Sequence, residues 1–483
     1  MDPNPFLMGI NRATPLARWL MGAAVLPAQS REGTTQSERA KVMHQMPEVI
    51  PESRANRRRT FIATSVGHVI EFFDFAAYGL VAVYLGHQFF PESSPSIQMI
   101  NTFAIFALTF IFRPLGAAIF GPLADRIGRL NVLVTALLMM AASTLLIGLL
   151  PTYDSIGVAA PILLVVLRLV QGLSAGGEQG SAVPYMLEQS APGRKAFGSS
   201  WLTVAGIVGF LLGTSVAVLL SQVVSEETMY DWGWRVPFLV AGPLGFLGIY
   251  IRLRLEESHE FQALKKSGRT IKRPLRESFR YPRQMAIAIA LGALHSATFY
   301  MVSTYMITYI GVTVGFGGDV ALLSVLIAMA AALVMIPTVS ALSDRIGRRP
   351  VIVTTTVLLI LSALPLFAMI RTSAAMAMVG MALFGVLLGS IVSVTLVTAS
   401  ENFPTAIRGS GFSIAYAVAA AGVGGTAPLI SVWLVDATGS NLAPAVFLTL
   451  VGVCGLVAGL ALQDRSQLEE EPSAPSLTSV VEG

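Results

Sequence analysis

The feature that most limits what this chain can fold into is a series of apolar stretches, each about twenty residues long, that recurs from residue 60 to residue 462. They fall near 60–88, 97–120, 130–150, 158–180, 197–221, 236–255, 284–309, 319–341, 350–370, 374–399, 411–435 and 442–462. A helix rises about 1.5 Å per residue, so each stretch is long enough to cross about 30 Å of hydrocarbon at a tilt. None has the period-two alternation of a membrane barrel strand, and helices satisfy their backbone polar groups span by span where no water is available. The chain therefore reads as an all-α membrane protein with twelve transmembrane helices, and its first expected partner is the lipid bilayer. Composition agrees: with 12% charged residues and a mean hydropathy of +0.69, a chain of 483 residues cannot cover a water-facing surface. A water-soluble enzyme is excluded.

Basic residues set the expected orientation. Arg57, Arg58 and Arg59 precede the first span, and Arg126, Arg129, Arg194, Lys195, Arg345, Arg348, Arg349 and Arg408 follow even-numbered spans on the same side. The loops 91–96, 151–157 and 311–318 on the opposite side carry no Lys or Arg. The positive-inside rule then puts both termini in the cytoplasm and the protein in a bacterial cytoplasmic (inner) membrane as a multi-pass chain. The net charge of +4 is part of this asymmetry, and nucleic acid is not an expected partner. The run Trp19–Ala28 after Arg18 imitates a signal peptide, but the basic cluster before the first span favours a cytoplasmic tail.

The longest polar interruption, 256–283, holds eight Lys or Arg and four Glu and divides the spans into two sets of six. The expected organisation is a disordered tail over 1–59, a six-helix bundle over 60–255, a cytoplasmic linker over 256–283, a second six-helix bundle over 284–462 and a tail over 463–483. A repeat supports the division. Asp125-Arg126-Ile127-Gly128-Arg129 recurs as Asp344-Arg345-Ile346-Gly347-Arg348, 219 residues later and again after the second span of its half. A weaker echo relates Glu188–Arg194 to Glu401–Arg408. Two related bundles of parallel topology are an architecture that rocks around a central site.

Several other chemistries are excluded by context. Gly172-Leu173-Ser174-Ala175-Gly176 has the spacing of a hydrolase nucleophile elbow but lies inside an apolar helix, without the required strand and turn. There is no Gly-Lys dipeptide, hence no ATP phosphate loop, and the five histidines include no pair at metal-ligand spacing. Cys454 is the only cysteine, which rules out an internal disulfide. No catalytic residue, metal or cofactor is expected.

The repeated loop, Gly121 through Arg129, resembles the signature between the second and third helices of the major facilitator superfamily, and it stands at both expected places. The resemblance covers roughly 60–462. Within the superfamily, Glu71-Phe72-Phe73-Asp74-Phe75, Arg113-Pro114-Leu115-Gly116, Gln171-Gly172 with Gly176-Gly177-Glu178, and Trp232 through Phe238 are similar to the metabolite:proton symporter family. The resemblance implies the major facilitator fold of two six-helix bundles and proton-driven uptake of a small metabolite by alternating access. It also implies that Gly121, Asp125, Arg126, Arg129, Asp344, Arg345 and Arg348 act in conformational gating. Glu71–Asp74 and 198–202 are similar to proline/glycine betaine symporters, whereas 298–309 and 411–439 are more similar to citrate and tricarballylate symporters. Arg168 matches the carboxylate-type pattern.

Physical reading of the buried charges points to the site. Counted from Phe61, Glu71 lies about 15 Å and Asp74 about 20 Å into the membrane, and a helical wheel gathers His68, Glu71, Asp74, Phe75 and Tyr78 within an arc of about 120°. Ionisable groups at that depth face a cavity or a partner, so Glu71 and Asp74 are the proton-coupling candidates. Arg168 and Gln171 lie one turn apart in the middle of the fourth span, and a guanidinium there offers a planar fork to a carboxylate or pairs with Glu71 or Asp74. Together with His68, Tyr78, Tyr300 and Thr304 they form the substrate-binding set. The expected function is proton-coupled uptake of a di- or tricarboxylate such as citrate or 2-oxoglutarate by a monomer. Proline/betaine symport is the near alternative; a drug efflux antiporter and a non-transporting nutrient sensor are the rivals from other classes.

Overall fold

The computed structural model describes residues 54–253 and 274–462. The expected tails up to residue 53 and from residue 463, and most of the expected linker, lie outside these residues. Twelve helical spans stand where the apolar stretches are: α1 (Arg54–Leu80), α2 (Pro95–Ile127), α3 (Arg129–Leu149), α4 (Ala159–Gln189), α5 (Lys195–Val223), α6 (Val236–Arg252), α7 (Pro282–Thr313), α8 (Gly318–Ile346), α9 (Arg348–Ile370), α10 (Ala374–Glu401), α11 (Thr405–Thr438) and α12 (Ala443–Leu460). No strand occurs among the described residues. Ten of the spans are single helices long and apolar enough to cross a membrane, and α1 joins them through a continuation, Ala82–Phe89, bent by 65°. The described part of α6 is 17 residues long, with Pro243 inside it.

The helices run past the apolar windows at the Arg-rich end. Hydropathy ends where the hydrocarbon ends, but the backbone stays helical for as long as packing supports it, so Asp125 and Asp344 sit on the last turns of α2 and α8. Hydropathy alone places them in a loop. A single residue joins each of these helices to the next, Gly128 at φ 110° and Gly347 at φ 96°. That left-handed region favours glycine and explains why Gly recurs in both copies.

Small residues set the helix spacing. A Cβ on Gly176 would collide with the carbonyl of Arg113, and one on Gly172 with that of Thr109, which locks α4 against α2. In the second bundle a Cβ on Gly385 would strike the carbonyl of Ala328 and lock α10 against α8 in the same way. Glycines of α5 pack as closely, with Gly209 against the Val69 carbonyl and Gly213 against Phe73 of α1. Between the bundles, α2 packs on α11 and α5 on α8, the two contacts that a twofold relation between the halves requires.

Three π-helical turns, Met301–Tyr305 and Tyr309–Thr313 in α7 and Ala420–Gly424 in α11, interrupt the second bundle. Such turns occur preferentially at functional sites, and hydropathy carries no sign of them.

Candidate functional site

At the Arg-rich end the repeated motif forms a latch between the bundles. Asp125 of α2 accepts hydrogen bonds from the Ser410 amide at 2.9 Å and the Ser410 hydroxyl at 2.7 Å, in the first α-helical turn of α11, which follows the 3-10 turn Thr405–Ile407. Asp344 of α8 accepts from the amides of Ala196 at 2.9 Å and Phe197 at 2.8 Å, in the first turn of α5. Each carboxylate thus meets the positive end of a helix in the opposite bundle. The helix that Asp125 meets is α11 of the second bundle. Arg129 pairs with Glu188 and donates to the Thr405 carbonyl, while Arg348 pairs with Asp344 at 2.8 Å and Glu401 at 3.1 Å. The echo between Glu188 and Glu401 is therefore the second half of the same motif. Arg408 adds a cross-bundle ion pair with Glu188 at 3.1 Å. Gly121 lies against Ser410 and Ser413, where a Cβ would stand 3.1 Å from the Ser410 Cα. Arg126 and Arg345 are exposed beside the latch.

In the middle of the first bundle, two carboxylates of α1 are each held by an arginine. Arg113 of α2 donates to Glu71 at 3.0 Å, and its guanidinium lies over the rings of Phe75 and Phe110. Arg168 of α4 donates to Asp74 at 2.9 Å and stacks 3.6 Å over the ring of Tyr78. Gln171 and Thr144 also donate to Asp74, at 3.1 and 3.2 Å. Both arginines and both acids are at most 3% exposed. The Tyr78 hydroxyl donates to the Thr102 carbonyl. Of the expected substrate-binding set, Arg168, Gln171 and Tyr78 thus form one closed network with Asp74, and Arg168 pairs with Asp74 and not Glu71.

Two cavities lie between the bundles, one on each side of the ring pair Phe72 and Phe299. The larger, of about 160 Å³, lies on the side away from the latch. Six aromatic residues line it: Phe72, Phe75, Phe106, Phe210, Phe299 and Tyr300. Hydroxyls of Thr214, Ser303, Thr304 and Thr308 complete the wall, so Tyr300 and Thr304 of the expected set both line this cavity. The smaller cavity, of about 20 Å³, lies on the latch side and includes His68, Gln179, Ser199 and His295. One water needs about 10 to 15 Å³ of such space, so the latch-side cavity is nearly closed while the other has room for a small solute.

The aromatic lining was missed in the sequence, although a signal was present. His68, Phe72 and Tyr78 of α1 recur as His295, Phe299 and Tyr305 of α7, each pair 227 residues apart. Apolar rings in apolar helices carry no contrast of their own, and this register comparison singles out Phe72 and Phe299 among them.

The profile of the Major Facilitator Superfamily matches residues 64–340 and 318–481. The chain is 36% identical over 436 residues to a proline/betaine transporter of Escherichia coli K12, covering 88% of this chain and 87% of that one. It is 33% identical over 403 residues to a citrate-proton symporter of Klebsiella pneumoniae, covering 83% and 90%. Among solved structures, a proton:xylose symporter bound to 6-bromo-6-deoxy-D-glucose superposes with a TM-score of 0.69 at 19% identity, over 84% of this chain and 95% of that one. A fucose:proton symporter of Escherichia coli superposes with a TM-score of 0.61 at 13% identity, over 85% and 100%. Fold, duplicated latch and sequence agree, and this chain belongs to the Major Facilitator Superfamily.

Proposed function

We propose that the protein is a proton-coupled carrier that takes up a small zwitterion of the proline/betaine kind across the bacterial cytoplasmic membrane. The Arg-rich latch end faces the cytoplasm in this reading, so the arrangement described is closed inward, with its solute cavity on the outer side. The observation that carries the substrate class is the cavity wall, six aromatic residues and four hydroxyls with neither mid-membrane arginine among them. A quaternary or secondary ammonium is attracted to aromatic faces by about 0.5 to 2 kcal/mol per favourable contact. Its single carboxylate can accept hydrogen bonds from Ser303, Thr304 or Tyr300. A tricarboxylate would bring several desolvated negative charges to a wall that offers no cation. The expectation of a di- or tricarboxylate is replaced on this ground, and the named proline/betaine relative supports the same choice.

The organic-acid reading keeps the citrate-proton symporter among the relatives and one observation of the structure. Nε and Nη2 of Arg168 make no hydrogen bond in the structure, so an incoming carboxylate would find donors there if the Asp74 network opened. The deciding experiment is uptake of labelled glycine betaine, proline, citrate and 2-oxoglutarate by cells expressing the protein, with and without a protonophore. Betaine or proline uptake abolished by the protonophore is the expected result. Citrate uptake that excess betaine does not inhibit would overturn the substrate class.

A further inference from the structure

We infer that Tyr300 of α7 receives the carboxylate of the solute, and that Arg113 of α2 prepares it by holding its phenol oxygen, so that the hydroxyl proton is left for the cavity. The inference rests on the zwitterion reading above and names the groups that recognise the anionic end.

The wall of the larger cavity holds no cation, yet a zwitterion brings a carboxylate that must exchange water for protein donors. Most hydroxyls of the wall are already committed. Thr214 donates to the Phe210 carbonyl at 2.9 Å, and Ser303 and Thr304 share one hydrogen bond at 3.3 Å. Tyr300 is placed differently. Arg113 is 2% exposed and lines neither cavity between the bundles, but its guanidinium lies 4.7 Å over the ring of Phe110, which meets the ring of Tyr300 edge to face at 5.2 Å. The Tyr300 hydroxyl stands within hydrogen-bonding reach of that guanidinium. Tyr416 of α11 is also near Arg113 but belongs to neither cavity wall.

A guanidinium carries five N–H donors and no acceptor, so in this contact the phenol oxygen accepts and its own proton points elsewhere. Hydrogen bonds in a chain polarise one another at low dielectric, which makes the phenol a stronger donor. The positive charge therefore reaches the cavity through one directed proton and not as an open ion. One carboxylate is satisfied there, whereas a second or third would meet no further counter-charge. The ammonium is left to the rings of Phe72, Phe106 and Phe210 on the same wall. Nη2 of Arg113 donates to Glu71 at 3.0 Å, which anchors the guanidinium on the first bundle, while Tyr300 belongs to the second. A solute that accepts the phenol proton completes a bonded chain across the bundle boundary, and so favours the arrangement in which the bundles meet around it.

The test measures equilibrium binding of labelled glycine betaine and labelled choline to the full chain in detergent. Choline is a quaternary ammonium of similar shape with a hydroxyl in place of the carboxylate. Tyr300→Phe should weaken betaine binding by roughly 10- to 150-fold and leave choline binding unchanged. Arg113→Lys keeps the charge but loses the planar fork, so it should weaken betaine in the wild-type background and add no further loss in the Tyr300→Phe background. Tyr300→Phe that inserts and binds betaine as wild type does overturns the inference. An equal loss of betaine and choline also overturns it, since ring shape alone would then be at work. A loss from Arg113→Lys that is the same in both backgrounds overturns the positioning role. Should Tyr300→Phe fail to insert, Arg113→Lys decides: betaine affinity that is unchanged, or lost together with that of choline, overturns the inference. Should wild type bind no choline, the Arg113 and Tyr300 cycle decides alone. Wild-type protein that binds no betaine refutes the proposed function itself, which separates the two failures.

Discussion

The rings of Phe72 and Phe299 meet edge to face at 5.3 Å, with 84° between their planes, at positions 227 residues apart in the two halves of the chain. They line both cavities and stand between the larger one and the latch-side one. An edge-to-face pair contributes about 0.5 to 1.5 kcal/mol beyond its burial, enough to hold a partition and weak enough to be opened by a bilayer-scale helix movement. Truncating both rings, Phe72→Ala with Phe299→Ala, should join the cavities and raise downhill betaine leakage from loaded, de-energised vesicles. Leakage equal to wild type would show that the closure lies elsewhere.

The latch predicts a shift in conformation without loss of binding chemistry. Asp125 accepts two hydrogen bonds from Ser410, and Asp344 accepts two from the start of α5. Bonds to a charged group contribute about 1.5 to 3 kcal/mol, so Asp125→Asn should move the balance toward the latch-open state by roughly 10- to 150-fold. The measurement is maleimide labelling of Ser413→Cys, a buried position on α11, in a Cys454→Ser background. Faster labelling from the latch side, with betaine binding retained, is the expected result. Loss of betaine binding would instead place Asp125 in the solute site.

Gly180 separates a state-specific contact from a general packing one. A Cβ built on it would overlap the Ser413 hydroxyl and lie 2.5 Å from the Ser413 Cβ, across the bundle boundary. Gly180→Val should therefore wedge the latch-closed state apart and leave the latch-open state intact. Gly172→Val strikes the Thr109 carbonyl within one bundle and is expected to destabilise both states. Thermal unfolding in detergent should fall markedly for Gly172→Val and little for Gly180→Val, whose signature is faster labelling at position 413. Equal losses of stability would refute the distinction.

Much of this architecture was legible in the sequence because the bilayer imposes a length and a polarity on every span. The twelve spans, the division into halves and the duplicated loop all follow from apolar length, loop charge and an identical five-residue repeat. The ends of α2, α4, α8 and α10 did not, since hydropathy stops reporting where helix continues beyond the lipid. Arg168 was found, but a helical wheel fixes only the face of a helix. Whether a guanidinium at that height meets Asp74 or an open cavity depends on which turn of α1 lies level with α4. The aromatic cavity was the least visible part, because Phe106 and Phe210 in an apolar helix look the same whether they face lipid, core or solute.

Arg168 gives the test in which structural and substrate roles diverge most. Its guanidinium is bonded to Asp74, stacked on Tyr78 and absent from the wall of either cavity. Removing one member of a buried ion pair costs about 3 to 5 kcal/mol, because the remaining charge stays buried without its partner. Arg168→Gln should then lower the unfolding temperature substantially, and adding Asp74→Asn should restore part of the loss by removing the stranded carboxylate. Arg168→Lys keeps the charge but cannot hold both Asp74 and the face of Tyr78, so it should fall between wild type and Arg168→Gln. The measurements are detergent melting curves and equilibrium betaine binding on wild type, Arg168→Gln, Arg168→Lys, Asp74→Asn and the double variant Arg168→Gln with Asp74→Asn. A double-mutant coupling of at least about 0.5 kcal/mol between Arg168 and Asp74, with betaine affinity retained in the folded double variant, would confirm that the pair supports the first bundle. If the double variant folds normally and binds no betaine, Arg168 reaches the solute in a state other than the one described, and the organic-acid reading regains its main support.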